Sequence, residues 1–311
     1  MAAQPTFPAP VIWSPDYEVD IGPHVFPTAK YRLVRERLLE EGRVREEEFV
    51  IPEPASWEEL ARVHTDRYLE KIRTGDFTPE EILLLELPFS PQLRAASILC
   101  AGGTYTAGRL ALTHGVVPHL GGGFHHAFAD HGEGFCLLND VAVATRTLQA
   151  EDGVERVMIV DLDVHHGNGT AAIFRDDSSV FTFSMHQEWN YPAVKPPGDL
   201  DLGLEDGTED EEYRNVLERH LPDALDRHRP EVVFYLAGAD PYRDDQLGGL
   251  GLTLEGLRAR DRFVFQTLDS RKAPVAVTLA GGYACRNEDT VEIHRNTVVE
   301  VLEAQRNWTR S

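Results

Sequence analysis

The sequence predicts a single α/β domain in which helices flank a mostly parallel sheet. Two observations predict this class. Short apolar, β-branched runs such as residues 157–160 are typical of strands buried on both faces. These runs alternate with helical segments, a pattern that favours right-handed crossover connections between parallel strands. No repeat, low-complexity segment or linker marks a second domain, so we expect one domain over residues 1–311.

The amino-terminal third is predicted to be mostly helical. Residues 1–25 are rich in proline and are predicted to be extended, with a short strand predicted at residues 11–13. Gly42 ends the first helix, and Ser56 is a suitable N-cap for the second. The last helix contains Gly102 and Gly103, where we expect a break or tight packing. The predicted helices cover residues 29–41, 57–63, 66–73 and 90–113.

From residue 116 onward, strands and helices alternate regularly. The predicted strands cover residues 116–120, 157–160, 180–184, 232–236 and 275–279. The predicted helices cover residues 140–148, 169–174, 211–227 and 254–268, with a last helix that ends near Ala304. Residues 187–207 contain several prolines and glycines and form the least regular segment. Such a long loop in a compact domain is usually functional.

The charge of the chain excludes some partners. Asp and Glu (52) outnumber Lys and Arg (30), which gives a net charge of −22. We therefore expect no direct binding to nucleic acid, whereas a polycationic partner would be attracted; an acidic surface can also serve solubility alone. Three scattered cysteines and the absence of a signal peptide or an apolar membrane span indicate a cytoplasmic protein that does not enter a membrane.

Chemically active side chains occur at the ends of five predicted strands. In open parallel sheets, ligands bind at the carboxyl ends of the strands. The sequence therefore predicts one functional site at that edge. The residues concerned are His125 and His126, then Asp161, Asp163 and His165, then Ser184 and His186, then Asp240, and finally Tyr283.

The segment around Asp163 is a candidate metal site. Alternation along a strand would place Asp161, Asp163 and His165 on one side. Oxygen and nitrogen ligands without a thiolate suit Zn²⁺, Mn²⁺ or Fe²⁺. Asp240 is the best candidate for a third ligand beside Asp163 and His165, and this set would leave positions free for water and substrate. The alternative is that these aspartates only cap turns.

A histidine pair after a glycine run suggests acid–base chemistry. His125 and His126 are candidates for a general base and an electrostatic helper, although single histidines more often serve packing. Asp161 and Asn168 are available to orient the two rings. Tyr283 could donate its hydroxyl hydrogen to a developing oxyanion.

Six segments together resemble the histone deacetylase family, within the arginase/deacetylase fold. The segments Phe26-Pro27…Lys30-Tyr31 and Val63-His64…Tyr68-Leu69 are similar to its bacterial class IV-like branch. The resemblance implies a three-layer domain with a central sheet of about eight strands. The six segments are Gly-Gly-Gly-Phe-His-His (121–126), Gly-Glu-Gly-Phe-Cys-Leu-Leu-Asn-Asp (132–140), Asp-Leu-Asp-Val-His-His-Gly-Asn-Gly (161–169), Ala-Gly-Ala-Asp (237–240), Leu-Gly-Gly-Leu (247–250) and Ala-Gly-Gly-Tyr (280–283).

The resemblance also implies roles for individual residues. Asp163, His165 and Asp240 would bind Zn²⁺. His126 would be the general base and acid, with His125, held by Asp161, as its electrostatic partner. Tyr283 would polarise the amide carbonyl. Gly134 and Phe135 would form one wall of an acyl-lysine tunnel, with Tyr191 on the opposite wall.

The family also has a monovalent cation site beside the zinc, for which K⁺ is the candidate structural ion. Here the side chains of Asp161 and Ser184 would supply it, with the backbone carbonyls of Asp163, His165 and Met185.

Three departures from the class I pattern stand out. Asn168 stands where class I enzymes have an aspartate, as in the class II and IV branches. The tyrosine motif has one glycine fewer, and no equivalent is found for the aspartate that fixes the substrate backbone at the tunnel rim. These departures argue against class I and against specific recognition of a histone tail.

The resemblance predicts a zinc-dependent amidohydrolase that uses metal-activated water to remove an acetyl or other acyl group from the ε-amine of lysine in a protein. An acetylpolyamine or another small amide is the alternative substrate. A non-catalytic acyl-lysine-binding protein is the alternative of another class. The intact histidine pair, the three ligands and Tyr283 favour the enzyme, because a binder would not need all six.

Overall fold

Eight strands form one central sheet in the computed structural model, which describes residues 10–308. The strands are β1 (Val11–Ile12), β2 (Phe49–Val50), β3 (Val116–His119), β4 (Val157–Asp161), β5 (Val180–Gln187), β6 (Leu200–Leu204), β7 (Val232–Leu236) and β8 (Val275–Thr278). Their order in the sheet is β2-β1-β3-β8-β7-β4-β5-β6, and every pairing between these strands is parallel. All eight carboxyl ends therefore lie along one edge.

Ten helices accompany the sheet in the described part of the chain. They are α1 (Lys30–Glu40), α2 (Trp57–Ala61), α3 (Asp66–Thr74), α4 (Pro79–Leu85), α5 (Pro91–His114), α6 (Asp140–Glu151), α7 (Asn168–Phe174), α8 (Asp210–His228), α9 (Leu254–Asp269) and α10 (Asn287–Trp308). Within residues 10–308, none of these helices has the length and apolar character that a membrane crossing requires.

Helices cover both faces of the sheet. Successive residues of a strand point to opposite faces, so Met158 and Val160 pack in one core with residues of α8, α9 and α10. Val157 and Ile159 pack in a second core with residues of α5, α6 and α7. Helix, sheet and helix thus form three layers, which confirms the predicted α/β class and its parallel sheet.

Three elements differ from the sequence prediction. β6 lies inside residues 187–207, which we expected to be irregular, because the surrounding prolines and glycines mask its alternating leucines. β2 has only two residues and leaves little pattern to detect. α4 was not expected: it has a capping box between Thr78 and Glu81, but Leu83 on it is exposed, so its apolar residues do not follow a helical period.

The glycines in α5 allow close packing and do not break the helix. α5 is continuous from Pro91 to His114. The backbone of residues 53–55 crosses α5 at Gly102, and a Cβ there would collide with the carbonyl oxygen of Glu53. Of the two expectations for this pair, tight packing is the one that the structure shows.

A buried arginine joins the two strand ends at the centre of the sheet. Arg260 Nη1 donates to the carbonyl oxygen of Gly238, at 2.8 Å, and to that of Leu162, at 3.2 Å. These carbonyls follow β7 and β4. Asp261 balances the charge through a 2.9 Å contact with Arg260 Nε, and it also accepts the hydroxyl hydrogen of Tyr235. The segments after β4 and β7 are therefore held together from behind.

We expect Arg260→Met to destabilise the fold strongly. The substitution leaves Asp261 without its ion-pair partner in a buried position, and breaking such a pair typically costs about 3–5 kcal/mol. Denaturant unfolding measures the change. Arg214→Met is the matched control, because Arg214 pairs with Glu218 on an exposed helix face, where an ion pair contributes about 0–1 kcal/mol. Equal losses in both variants would contradict this account of Arg260.

Candidate active site

Four adjacent strand ends bring distant parts of the sequence together. β3, β8, β7 and β4 are neighbours in the sheet, so the segments that follow them meet at its carboxyl edge. They carry the histidine pair, Tyr283, Asp240, and the Asp163–His165 segment respectively. β5 continues past its predicted end at Ser184, so His186 also lies within this strand. The edge therefore gathers the side chains that the sequence marked as chemically active.

Asp163, His165 and Asp240 form a compact buried group. One ligand atom from each lies within 4.8 Å of the others. His165 Nδ1 is 3.1 Å from Asp163 Oδ1 and 3.4 Å from Asp240 Oδ2. The sequence predicted that alternation along the strand would place Asp163 and His165. β4 ends at Asp161, so both residues lie beyond the strand and alternation does not determine their positions.

Backbone amides set the positions of the two carboxylates instead. Asp163 accepts the N–H of His165 at 3.0 Å and the N–H of Gly281 at 2.8 Å, the latter from the segment after β8. Asp240 Oδ1 accepts the N–H of Val164 at 2.9 Å. The donors come from different strand ends, so the sheet edge itself holds the group in place.

This group fits a divalent metal ion. Asp240 Oδ2 is buried and receives no hydrogen bond from any residue between 10 and 308. Burial and the neighbouring charge of Asp163 raise the pKa of Asp240 to about 7. Burial lowers the pKa of His165, but its close contacts with the carboxylates of Asp163 and Asp240 outweigh that effect and raise the pKa to about 10. The site thus attracts positive charge, and binding of a metal ion would release the protons that the raised pKa values of Asp240 and His165 favour.

The histidine pair lies beside this group with both rings oriented. His125 Nδ1 contacts Asp161 Oδ2 at 2.6 Å, and His126 Nδ1 contacts Asn168 Oδ1 at 2.7 Å. The two Nε2 atoms face each other at 3.1 Å. Since each Nδ1 faces an oxygen acceptor, each donates its hydrogen there. His125 Nε2 also lies 3.8 Å from Asp163 Oδ1.

The two histidines differ in basicity. Burial alone lowers the pKa of His125, but the negative charges of Asp161 and Asp163 outweigh it and raise the pKa to about 9. Burial and the neighbouring charges of His125 and His165 hold the pKa of His126 well below its usual value. His126 is therefore the neutral member of the pair, the state that a general base requires.

Tyr283 completes the site from the β8 side. Its backbone N–H donates to Asp245 at 2.7 Å, which fixes the residue after the glycine pair. Its ring centroid is 6.4 Å from that of His165. Burial and the charges of Asp163 and Asp240 raise the pKa of Tyr283 well above its usual value, so its hydroxyl stays protonated and can donate.

Aromatic side chains line the narrow cavity above the group. Phe135 stacks on Phe26, with ring centroids 6.2 Å apart, and its edge contacts the ring of Tyr283. Tyr191 lies against His126 instead, with centroids 4.9 Å apart. The residues that line the cavity include Phe26, His126, Gly134, Phe135, Asp163 and Tyr283.

The backbone at Gly134 and Phe135 is unusual. Both residues have positive φ, +51° and +67°, and such a conformation in a non-glycine residue persists only where neighbours hold it. The N–H of Phe135 donates to the carbonyl oxygen of Leu85 at 2.9 Å. A Cβ on Gly134 would lie 2.8 Å from the ring of His126 and 3.0 Å from that of Tyr191, so only glycine fits.

We expect Phe135→Ala to raise KM more than it lowers stability. The ring contributes a wall of the cavity, and Phe135 is only partly buried beside the core. Phe174→Ala is the matched control, because Phe174 is fully buried and its truncation should cost about 3–5 kcal/mol. Steady-state kinetics and thermal unfolding separate the two effects. A large fall in the midpoint of Phe135→Ala with unchanged kinetics would instead make it a core residue.

The predicted monovalent-cation residues are neighbours. Asp161 pairs with Ser184 across β4 and β5, and Met185 follows. The hydroxyl of Ser184 contacts His186 Nδ1 at 2.9 Å, and Asp161 Oδ1 accepts the N–H of Asp163. Asp161 thus connects these residues to Asp163 of the metal group.

Sequence reasoning assigned no role to two residues that contact the site. Phe26, noted only as part of a resemblance, stacks on Phe135. Glu133 lies between two glycines in the quoted motif, and its carboxylate reaches both Asn168 and Tyr191. A charged residue in a loop normally indicates a solvated position, so the sequence carries little signal for it.

The fold and the site define a parallel α/β protein with a candidate metal centre beside a histidine pair. A sequence model of the histone deacetylase domain matches residues 24–298, which is most of the chain. The chain therefore belongs to the histone deacetylase family.

Two relatives and one solved structure are similar to this chain over most of its length. An uncharacterized protein of Picosynechococcus sp. is 44% identical over 92% of this chain and 95% of its own length. Histone deacetylase 2 of Arabidopsis thaliana is 30% identical over 88% of this chain and 74% of its own length. The crystal structure of the HDA15 HD domain superposes with a TM-score of 0.78 at 24% identity, covering 96% of this chain and 90% of that one, and shows the same fold.

Proposed function

We propose that this protein is a zinc-dependent amidohydrolase that removes an acetyl or other acyl group from the ε-amine of lysine in a protein. The observation that carries the proposal is the convergence of the Asp163–His165–Asp240 group, the Nε2 atoms of His125 and His126, and Tyr283 at one buried point. Acyl transfer to water needs these three functions together: an electrophile, a base and an oxyanion donor.

When bound at this group, Zn²⁺ would polarise the amide carbonyl and lower the pKa of water. His126 Nε2 would take a proton from the attacking water as the new C–O bond forms. The same nitrogen would then give the proton to the leaving amine as the C–N bond breaks. His125, positively charged and held by Asp161, would stabilise the negative charge that develops, and the hydroxyl of Tyr283 would donate to the oxyanion.

The cavity suits a long, mostly apolar chain that ends in an amide. Phe135 and Tyr191 would contact the methylene groups of an acyl-lysine, and Gly134 leaves space beside the rings of His126 and Tyr191. We further propose that K⁺ binds beside Asp161, Ser184 and Met185. The chain is also proposed to belong to the bacterial class IV-like branch of the family. It would form one catalytic domain over residues 1–311 and act in the cytoplasm.

Activity on a substrate panel tests the proposal. The zinc-loaded protein is incubated with acetyl-, longer acyl- and unmodified lysine peptides and with acetylpolyamines, and the released carboxylate and amine are measured. Turnover of acyl-lysine peptides above polyamines is expected. Turnover of acetylpolyamines alone would move the substrate to small amines, to which the net charge of −22 is also suited. Binding without turnover in either class would replace the enzyme with a non-catalytic binder.

A further inference from the structure

The carboxylate of Glu133 connects two residues of the proposed site that have no direct bond to each other. Glu133 Oε1 accepts Asn168 Nδ2–H at 2.7 Å and the hydroxyl hydrogen of Tyr191 at 2.6 Å. Asn168 contacts His126 through its other end, and the Tyr191 ring lies against the His126 ring. Glu133 Oε1 is thus connected to His126 both through the side chain of Asn168 and through the ring of Tyr191.

The direction of these hydrogen bonds determines which nitrogen of His126 carries a hydrogen. A carboxylate only accepts, so the amide of Asn168 must turn its NH₂ towards Glu133 and its Oδ1 towards His126. An oxygen facing His126 Nδ1 at 2.7 Å requires that this nitrogen donates. The lone pair of His126 therefore lies on Nε2, the atom that faces His125 Nε2. An asparagine alone does not secure this order, because its two ends differ little in shape.

Glu133 is itself held in the ionised state. His131 Nε2 lies 3.5 Å from Glu133 Oε2, and the Glu133 side chain is only 13% exposed. Burial alone would raise the pKa of Glu133, but the hydrogen bonds from His131, Tyr191 and Asn168 outweigh it and lower the pKa. Bonds to an ionised acceptor are roughly twice as strong as neutral ones, so the amide of Asn168 is held more firmly than an amide partner would hold it.

We propose that Glu133 is a positioning residue, which acts through Asn168 to fix the proton-bearing nitrogen of His126 and at the same time holds Tyr191 against that ring. The proposal rests on the proposed function, in which His126 is the base. The negative charge of Glu133 does not touch His126 directly, because the side chain of Asn168 lies between them. Asn168 transmits the orientation, and Glu133 supplies the charge.

The proposal predicts a reciprocal rescue between two substitutions. Asn168→Asp alone places two carboxylates against each other, and Glu133→Gln alone removes the charge and lets the amide of Asn168 turn. Each single variant should lose about 10–100-fold in kcat, the usual effect of changing a group that orients a catalytic ligand. In the double variant E133Q/N168D, the new amide at position 133 donates to the new carboxylate at position 168, which accepts from His126. The kcat of the double variant should therefore exceed that of both single variants.

Two measurements distinguish positioning from general structural support. Nitrogen-15 NMR of the zinc-loaded protein reports the tautomer of His126, which should be the Nδ1–H form in wild type and in E133Q/N168D and mixed in E133Q. Tyr191→Phe removes only the second bond to Glu133, so it should raise KM more than it lowers kcat. Glu86→Gln is the control and should keep the kcat and the His126 tautomer of wild type. Glu86 adds to the negative charge near Glu133 but lies outside the Asn168–His126 connection.

The outcomes separate this inference from the proposed function. If wild type turns over amides but Glu133→Gln keeps its kcat, or if the double variant is no better than the better single one, the inference about Glu133 is wrong. If wild type turns over no amide, the proposed function fails. The tautomer of His126 in wild type and Glu133→Gln then still decides whether Glu133 sets the orientation.

Discussion

Asp240→Ala and Asp163→Ala are each expected to remove most of the bound metal while the protein stays folded. Wild type should hold about one tightly bound Zn²⁺ per chain, because three protein ligands with open positions are typical of a catalytic zinc site. Removing either carboxylate leaves two ligands. Elemental analysis after dialysis measures the metal content, and circular dichroism confirms the fold.

The same experiment includes a carboxylate control and a clear contradiction. Asp226→Ala removes an exposed aspartate that pairs with Arg271, far in sequence from the proposed ligands, and should keep full metal content. Its loss of charge equals that of the site variants. Full zinc occupancy in both site variants, or no transition metal in wild type, would disprove the metal site.

His126→Ala and Tyr283→Phe are expected to keep metal and fold but to lose turnover. Loss of a general acid–base group typically costs about 10²–10⁴-fold. Removing an oxyanion donor typically costs about 10²–10³-fold in kcat. His126 is neutral because its pKa is held low, and Tyr283 keeps its proton because its pKa is raised, so each is in the state that its proposed role needs. Steady-state kinetics with an acyl-lysine peptide, alongside metal analysis, measures both effects.

A ligand that chelates zinc separates chemistry from binding in these variants. A hydroxamate should still bind Tyr283→Phe, because the proposed metal ligands are unchanged. The proposal of an enzyme is wrong if wild type and both variants bind acyl-lysine equally well and none hydrolyses it. In that case the pocket would serve recognition alone.

The core strands could be predicted from the sequence because a parallel sheet buries both of their faces. β3, β4, β7 and β8 are almost wholly apolar, so their runs stand out from the amphipathic helices around them. The edges carry less information. β6 is half exposed and lies among prolines, and β2 is two residues long. These elements form because neighbouring strands accept their hydrogen bonds, and a local pattern does not record that.

The membership of the site could be predicted, but its internal geometry could not. Parallel strands bring their carboxyl ends to one edge, and this rule places Asp163, Asp240 and Tyr283 together. The rule does not say which atoms meet. The orientation of Asp163 depends on the N–H of Gly281, more than a hundred residues away, and that of His126 depends on Glu133 through Asn168. Such contacts exist only once the chain is folded.

The all-parallel sheet also constrains how this protein reaches its native state. Parallel neighbours cannot be joined by a hairpin, and here Val116 pairs with Val275, so a central contact closes more than half of the chain into a loop. Non-local pairing of this kind slows folding, because the entropy of loop closure is lost before the contacts form. A nascent chain that stops before β8 lacks both Gly281 and Tyr283. The complete site therefore requires synthesis through Tyr283, even though its first histidine pair is made more than a hundred residues earlier.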